Sequence, residues 1–503
     1  MPKQALQGKE EPTLEITLRP RGRNWLERLW SSIAERGRGF APIPASDVTG
    51  LERARQLTRS LLSERGEASG AAVSRELLLA LKALTPEERR DYYLFLAEDF
   101  NPDEDGLAAA ARDYLAARGP ETAAALARAS EPPRQEVLRR INMAQGGTAL
   151  LVALRRELNG LLKADPVLKL LDADMRHLFA SWFNRGFLEL RRIDWQTSAA
   201  ILEKLIAYEA VHEIQGWDDL RRRLAADRRC FAFFHPALPD EPLIFVEVAL
   251  VSGLAGSVQN LLERDTDEAS QIAHASKADS AIFYSISNCQ DGLRGISFGN
   301  FLIKQVVEEL RAELPGLKRF ATLSPVPGLR SWLTARLAAK DLPDPLLSTA
   351  ERAALLEAAG LPPEPEGGVA EIETALAALL SVESWTKMAK LREALRPALL
   401  RLAAIYLTQS TRLKFRIDPV ARFHLGNGAR LERINWMANA NKAGIGESYG
   451  IMVNYLYDPA LIEANHEIFT RDREAVRADA VEALLTPSVP PARPNLLRRY
   501  VTR

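Results

Sequence analysis

The spacing of apolar positions changes once along this chain, near residue 195. From residue 49 to about residue 186, Ala, Leu, Arg and Glu dominate and β-branched runs are nearly absent. Apolar residues there recur at three- and four-residue intervals, which predicts packed amphipathic helices. Thr85-Pro86-Glu87-Glu88 reads as a helix start, with Thr85 as N-cap, Pro86 in the first helical position and Glu88 three residues past the cap. Pro120, Pro132, Pro133, Gly146-Gly147 and Pro166 divide the segment into about seven or eight helices. After Trp195 short aromatic and β-branched runs predict strands at 229–234, 242–250, 280–287, 318–323 and 448–457, with helical stretches between several of them. Only Glu247 interrupts the apolar run Leu243 to Leu250, so that strand is expected to be covered on both faces. Helical character returns between about 338 and 410, around a Pro/Glu/Gly-rich loop at 362–368. The expected fold is α+β and multidomain. Residues 1–48 form an extension and linker, 49–188 an all-helical domain, and 189–503 a mixed α/β domain with a helical insertion at about 338–410.

Length and composition narrow the function. The chain has 503 residues, 47% of them apolar, enough for more than one core. Lys and Arg together number 66 and so do Asp and Glu, so no global field exists to hold nucleic acid, and any anionic ligand needs a local site. Cys230 and Cys289 are the only cysteines, too few for a disulfide framework or a structural metal site, and the cytoplasm is the expected compartment. The N-terminus carries charges where a secretory signal needs an apolar core, and no apolar run is long enough to span a membrane. The stretch from Arg21 to Arg38, with Trp25, Leu26, Leu29, Trp30 and Ile33 among arginines, has the pattern of a short membrane-surface or transit-like amphipathic helix, but Glu27 and Glu35 dilute its charge and favour a partner-docking or frayed helix.

Three segments carry candidate chemistry. In the first, a strand ending near Ser287 runs into a glycine loop, QDGLRGISFG at 290–299, and then into a helix with Ile303, Val306, Val307 and Leu310 on one face. Such a loop can present backbone N–H groups to a phosphate, and Arg294 adds a full charge. The same glycines also suit a connector without ligand, and the spacing is neither a P-loop nor the dinucleotide fingerprint. In the second, TLSPVPG at 322–328, two prolines and a glycine fix a turn that holds Ser324, as either a reactive or a self-satisfied hydroxyl. The third is DPVARFHLGNG at 418–428, where a β-like run before a Gly-Asn-Gly turn places His424 at a strand end. His177, at helical spacing with Leu171, Met175 and Leu178, reads as a helix-packing residue.

Together these segments resemble the malonyl-CoA decarboxylase family. The resemblance is carried by LDADMRHLFASWFNRGFL at 171–188, FHPALP at 234–239, IFYSIS at 282–287, GNFLIK at 299–304, LSPVPG at 323–328, DPVARFHL at 418–425 and RINWMA at 433–438. It covers roughly residues 80–460 in family order. It implies a helical domain joined to a GNAT-type, acyl-CoA-binding catalytic domain in which a strand-to-helix loop holds the coenzyme A pyrophosphate. That loop would be Arg294, Gly295, Ile296, Ser297, Phe298, Gly299 and Asn300. The implied reaction is decarboxylation of malonyl-CoA to acetyl-CoA and CO2 without metal or organic cofactor, in the control of fatty acid metabolism. Ser324 and His424 fall on the family's catalytic serine and histidine, while Ser285 and Tyr457 match further polar positions. Where the family can carry a glutamate in the loop, this chain has Ser297.

Those residue types suit the reaction. Losing CO2 from a malonyl thioester leaves an enolate, so a site must stabilise oxygen charge and deliver a proton to carbon. A donor at the oxyanion is worth about 3–4 kcal/mol and a placed acid about 10²–10⁴ in rate. Ser324 is assigned to the thioester oxygen or to the proton, His424 to the acid role and Tyr457 to supporting His424. Two other readings stay open: an acetyl-CoA-dependent acyltransferase on the same fold, and a non-catalytic acyl-CoA scaffold. The apolar helix faces lead us to expect a homo-oligomer.

Overall fold

The computed structural model describes residues 50–63, 67–263, 267–296, 302–338, 346–360, 376–377, 379–380, 383–410 and 415–486, with isolated positions 32, 36 and 48. The predicted amphipathic stretch 21–38 and the loop 362–368 lie outside the described residues. By internal contacts the chain forms two compact units, one comprising Met1–Trp182 with Asp291–Ile296 and the other Phe183–Gln290 with Ser297–Arg503.

The first unit is all-helical, with helices Gly50–Ser63, Glu67–Ala83, Pro86–Asp99, Glu104–Ala116, Pro120–Ser130, Pro133–Met143, Gly147–Leu161 and Leu168–Trp182. Three of the breaks named from sequence are realised as prolines at first helical positions: Pro86, Pro120 and Pro133. Thr85 caps as predicted. Its hydroxyl accepts from Glu88 N at 3.2 Å while the Glu88 carboxylate accepts from Thr85 N at 2.9 Å. Leu57, Leu61, Tyr92, Leu96, Val137, Leu151 and Phe179 fill the core. A buried Arg134–Asp174 ion pair, to which Gln135 Nε2 also donates at 2.6 Å, joins two of its helices. His177 lies on a helix but faces solvent, so the packing role expected of it is not found; Leu171, Asp174, Met175 and Leu178 make the buried stripe instead.

Part of the glycine loop belongs to this unit. A Cβ on Gly292 would stand 2.0 Å from the Val152 carbonyl oxygen. Arg155 Nη1 donates to the carbonyls of Gly292 at 2.6 Å and Arg294 at 3.0 Å. Gly292 is therefore required for close packing against the helix Gly147–Leu161.

The second unit is built on an eight-stranded mixed sheet, β1 Glu189–Ile193, β2 Arg228–Phe234, β3 Ile244–Val251, β4 Ser280–Asn288, β5 Arg319–Thr322, β6 Ser324–Pro325, β7 Arg430–Asn435 and β8 Met452–Leu456. Its order is β1-β2-β3-β4-β5-β8-β6, with β7 also on β8. As predicted, β3 is buried almost end to end. β4 and β5 form the parallel pair, a pairing that needs a crossover. The helix Leu302–Glu313 supplies it, burying Ile303, Val306, Val307 and Leu310. β5 accompanies β4 only from Ser280 to Phe283. Just beyond, the register against β3 slips so that Glu247 faces Ser285 and Val248 faces Phe283, leaving Tyr284 as the extra residue of a bulge. Helices Thr349–Ala359 and Ala389–Thr408 occupy the stretch read as a helical insertion, clasped by the buried pair Arg401–Glu351 at 2.7 Å. The architecture is the one expected: a helical unit followed by a mixed sheet unit.

Candidate active site

Ser324 stands where β5 ends and the chain turns. Thr322, fully buried, closes β5, and Leu323 N donates to Phe283 O at 2.9 Å. Ser324 then pairs with Val453 of β8. Asn454, also fully buried, donates to Thr322 O at 2.7 Å and so fixes the strand end.

His424 comes from a helix, Pro419–Gly426, which corrects the strand end predicted for it. Asp418 is the N-cap, accepting from Val420 N at 2.9 Å and Ala421 N at 3.2 Å, and Pro419 takes the first helical position. Ala421, His424 and Leu425 face inward, a helical three-and-four spacing that the short Phe-His-Leu run conceals. The following Gly-Asn-Gly is a helix end rather than a hairpin turn, with Asn427 as C-cap and Gly428 at φ +80°.

The two segments meet with Tyr457, the residue just past β8. Ser324 Oγ lies 3.0 Å from His424 Nε2, and His424 Nδ1 lies 2.8 Å from the Tyr457 hydroxyl. Tyr455 stacks on the imidazole, ring centres 4.6 Å apart, and Tyr457 N is held by Phe320 O at 2.7 Å. All three side chains are buried, His424 at 3% exposure. Burial pushes the His424 pKa down to about 3, so at neutral pH the ring carries one N–H and one acceptor nitrogen. The same burial raises the Tyr457 phenol well above its ordinary value, keeping it protonated.

These facts give the hydrogen bonds a direction. The buried Tyr457 proton needs an acceptor and faces Nδ1. Nδ1 is then the bare nitrogen, and Nε2–H donates to Ser324 Oγ. Ser324 in turn donates to Thr322 Oγ1 at 2.8 Å, which also accepts from Tyr455 N at 3.2 Å. This is the reverse of a nucleophilic Ser–His pair, in which the hydroxyl proton points at the ring. The arrangement makes His424 a proton donor aimed at Ser324.

Ser285 is held elsewhere. Its hydroxyl lies 2.8 Å from each oxygen of the Glu209 carboxylate, which also accepts from Ser287 at 3.1 Å and from the backbone of Val211 at 2.8 Å and His212 at 2.7 Å. Glu209 was not singled out from sequence. It follows the helix Ala199–Tyr208, 76 residues before Ser285, and no motif links the two. Thr322 and Asn454 were likewise missed, being ordinary residues until the strands are paired. Of the predicted pyrophosphate loop, Arg294, Gly295 and Ile296 are described. Arg294 is exposed, Gly295 adopts φ +79° and Ile296 is buried. Ser297, Phe298, Gly299 and Asn300 lie outside the described residues. Among the described residues no group of three or more His, Cys, Asp or Glu side chains is placed to hold a metal ion.

The malonyl-CoA decarboxylase C-terminal domain pattern matches residues 186–494, the stretch containing Ser285, Ser324, His424 and Tyr457, and the N-terminal domain pattern of the same family matches 100–183. This chain belongs to the malonyl-CoA decarboxylase family. The family relative "Malonyl-CoA decarboxylase, mitochondrial" of Anser anser anser is 38% identical over 377 residues, covering 72% of this chain and 73% of that one. Its Rattus norvegicus counterpart is 36% identical over 65% of each. Among solved structures, the malonyl-CoA decarboxylase of Rhodopseudomonas palustris superposes with a TM-score of 0.75 at 45% identity, covering 87% of this chain and all of that one. That of Agrobacterium vitis gives 0.74 at 46% identity, covering 86% and 99%.

Proposed function

We propose that this chain is a carboxy-lyase that decarboxylates malonyl-CoA to acetyl-CoA and CO2 and so controls malonyl-CoA in fatty acid metabolism. The observation that carries the reading is the directed chain from Tyr457 through His424 to Ser324, within the stretch that matches the family. When the bond to the carboxylate breaks, its electron pair moves onto the thioester and an enolate forms. With substrate in place the Ser324 hydroxyl proton turns from Thr322 Oγ1 to the enolate oxygen, where a placed donor is worth about 3–4 kcal/mol. His424 gives its Nε2 proton to the carbon, which is basic enough to take it from a neutral imidazole, and solvent restores that proton. Tyr457 keeps the ring in the required tautomer. The thioester is itself the electron sink, so the mechanism needs no metal or organic cofactor, and dialysis against a strong chelator leaves the rate unaltered. Ser285, bonded to Glu209 and Ser287 rather than to Ser324, His424 or Tyr457, is given no step in this mechanism.

The segment Arg294–Asn300 is assigned to the coenzyme A pyrophosphate. Because any side chain at Gly295, where φ is +79°, would be strained, its substitution is ambiguous and Arg294→Ala is the better probe: it raises KM and leaves kcat nearly unchanged. No described helix is long and apolar enough to cross a membrane. Two buried free thiols support a reducing, cytoplasmic compartment for this chain, and the apolar faces of the helical unit support a homo-oligomer. Cell fractionation and light scattering test these two points.

The reaction is tested by giving the purified protein malonyl-CoA alone. Acetyl-CoA and CO2 form without a second substrate. Product appearing only when an amine is added makes the protein a transferase, and binding without product makes it a sensor.

A further inference from the structure

Ser324 and His424 reach the site from segments about a hundred residues apart, and one carboxylate touches the backbone of both. Asp418 is 1% exposed. Its Oδ1 caps the helix that carries His424, at 2.9 Å from Val420 N and 3.2 Å from Ala421 N. Its Oδ2 accepts from Gly328 N at 3.0 Å, and Gly328 closes the Ser-Pro-Val-Pro-Gly turn begun by Ser324. The turn itself is stiff, with Pro325 and Pro327 each fixing a φ, so a hold at Gly328 is transmitted back to Ser324. The Tyr406 hydroxyl donates to the same Oδ2 at 3.3 Å and is braced by Trp332 and Phe415, with ring centres 5.2 and 5.6 Å away. There is no slack at this point. A Cβ on Gly328 would stand 2.0 Å from the Tyr406 hydroxyl oxygen and 3.0 Å from Asp418 Oδ2.

We infer that Asp418 is the positioning residue of the site: by bonding the His424 helix with one oxygen and the Ser324 turn with the other, it sets the spacing between Ser324 and His424 on which catalysis depends. A plain helix cap needs one oxygen, and here the second is spent on the other catalytic segment. The inference rests on the decarboxylase reading above and adds a residue that touches neither substrate nor reacting atoms.

The test compares Asp418→Asn, Asp418→Ser and Tyr406→Phe in the full chain, with wild-type turnover of malonyl-CoA as the reference. Asn and Ser both keep an N-cap oxygen, but neither preserves the two-oxygen bridge to the helix and to Gly328 N. Each is expected to lower kcat by about 10- to 100-fold, the scale of a misplacement near 1 Å, with KM within about twofold. Tyr406→Phe leaves the bridge intact and keeps kcat within about threefold. Asn and Ser variants that melt lower but turn over at the wild-type kcat overturn the proposal, as does a Tyr406→Phe loss equal to theirs. If both Asp418 variants fail to fold, Gly328→Ala carries the test from the other end, since it leaves the cap in place and displaces the turn. Wild-type kcat in that variant also refutes the bridge. Failure of the decarboxylase reading looks different, because the wild type itself then makes no acetyl-CoA.

Discussion

A neutral imidazole that already holds its proton on Nε2 can donate at neutral pH without first being charged. Two substitutions separate the parts of this device. Ser324→Ala removes the hydroxyl offered to the enolate oxygen and lowers kcat by about 10²–10³ with KM little changed. Tyr457→Phe takes away the donor to Nδ1, frees the other tautomer, and lowers kcat by roughly tenfold or more; an unchanged kcat in the Phe variant would separate Tyr457 from the mechanism. Burial of His424 also has a stability signature. Its ordinary pKa of 6.5 falls to about 3 in the fold, so below about pH 6.5 the unfolded chain takes up a proton that the folded chain refuses. The stability associated with the neutral ring is complete above that pH and is lost as pH falls toward the folded value. Denaturant unfolding at pH 7 and pH 5 should show a larger loss in wild type than in His424→Gln, and equal losses would contradict the burial argument. Ser324 and His424 were legible as candidates because they lie within the segments LSPVPG and DPVARFHL that carry the family resemblance, whereas Tyr457 lies beyond the last of those segments and was named only through the resemblance. Glu209, Thr322 and Asn454 were not, because their meaning lies in pairings that only the folded sheet creates.

At the scale of elements, the helix Pro419–Gly426 decides where His424 points. Asp418 followed by Pro419 is a strong start signal, yet the aromatic Phe423 beside His424 and Leu425 made the stretch look extended. Phe423 is in fact 38% exposed on the helix's outer side, which is why a strand pattern was misread there. The helix end leaves no room for change. Gly428 at φ +80° would place a Cβ 2.1 Å from the Ile462 carbonyl oxygen. Gly428→Ala is therefore expected to cost roughly 2–4 kcal/mol of stability, from strain and overpacking together, measurable as a lowered Tm. Strands β2, β3, β4, β5 and β8 were legible as apolar or aromatic runs. β1 and β7 were not: their sequences, ELRRI and RLERIN, carry charges at positions exposed in β1 and partly buried in β7, and β6 is two residues long.

Over the whole molecule, the division into a helical unit and a mixed sheet unit was readable from periodicity, because a helical stripe and a buried strand demand different spacings. The assignment of Asp291–Ile296 to the helical unit was not readable. That segment is set by Gly292 lying against Val152 and by Arg155 reaching its carbonyls, contacts separated by well over a hundred residues. The second unit brings Ser324, His424 and Tyr457 together from separate stretches of the chain, so their arrangement depends on the sheet as a whole.

The central claim is that His424 protonates the enolate carbon, and the turnover of malonyl-CoA by a folded His424→Ala protein tests it most directly. The account predicts a kcat reduced by roughly 10²–10⁴ with KM nearly intact. A near-wild-type kcat, in a protein whose melting curve shows it folded, would make His424 a structural histidine and contradict the mechanism.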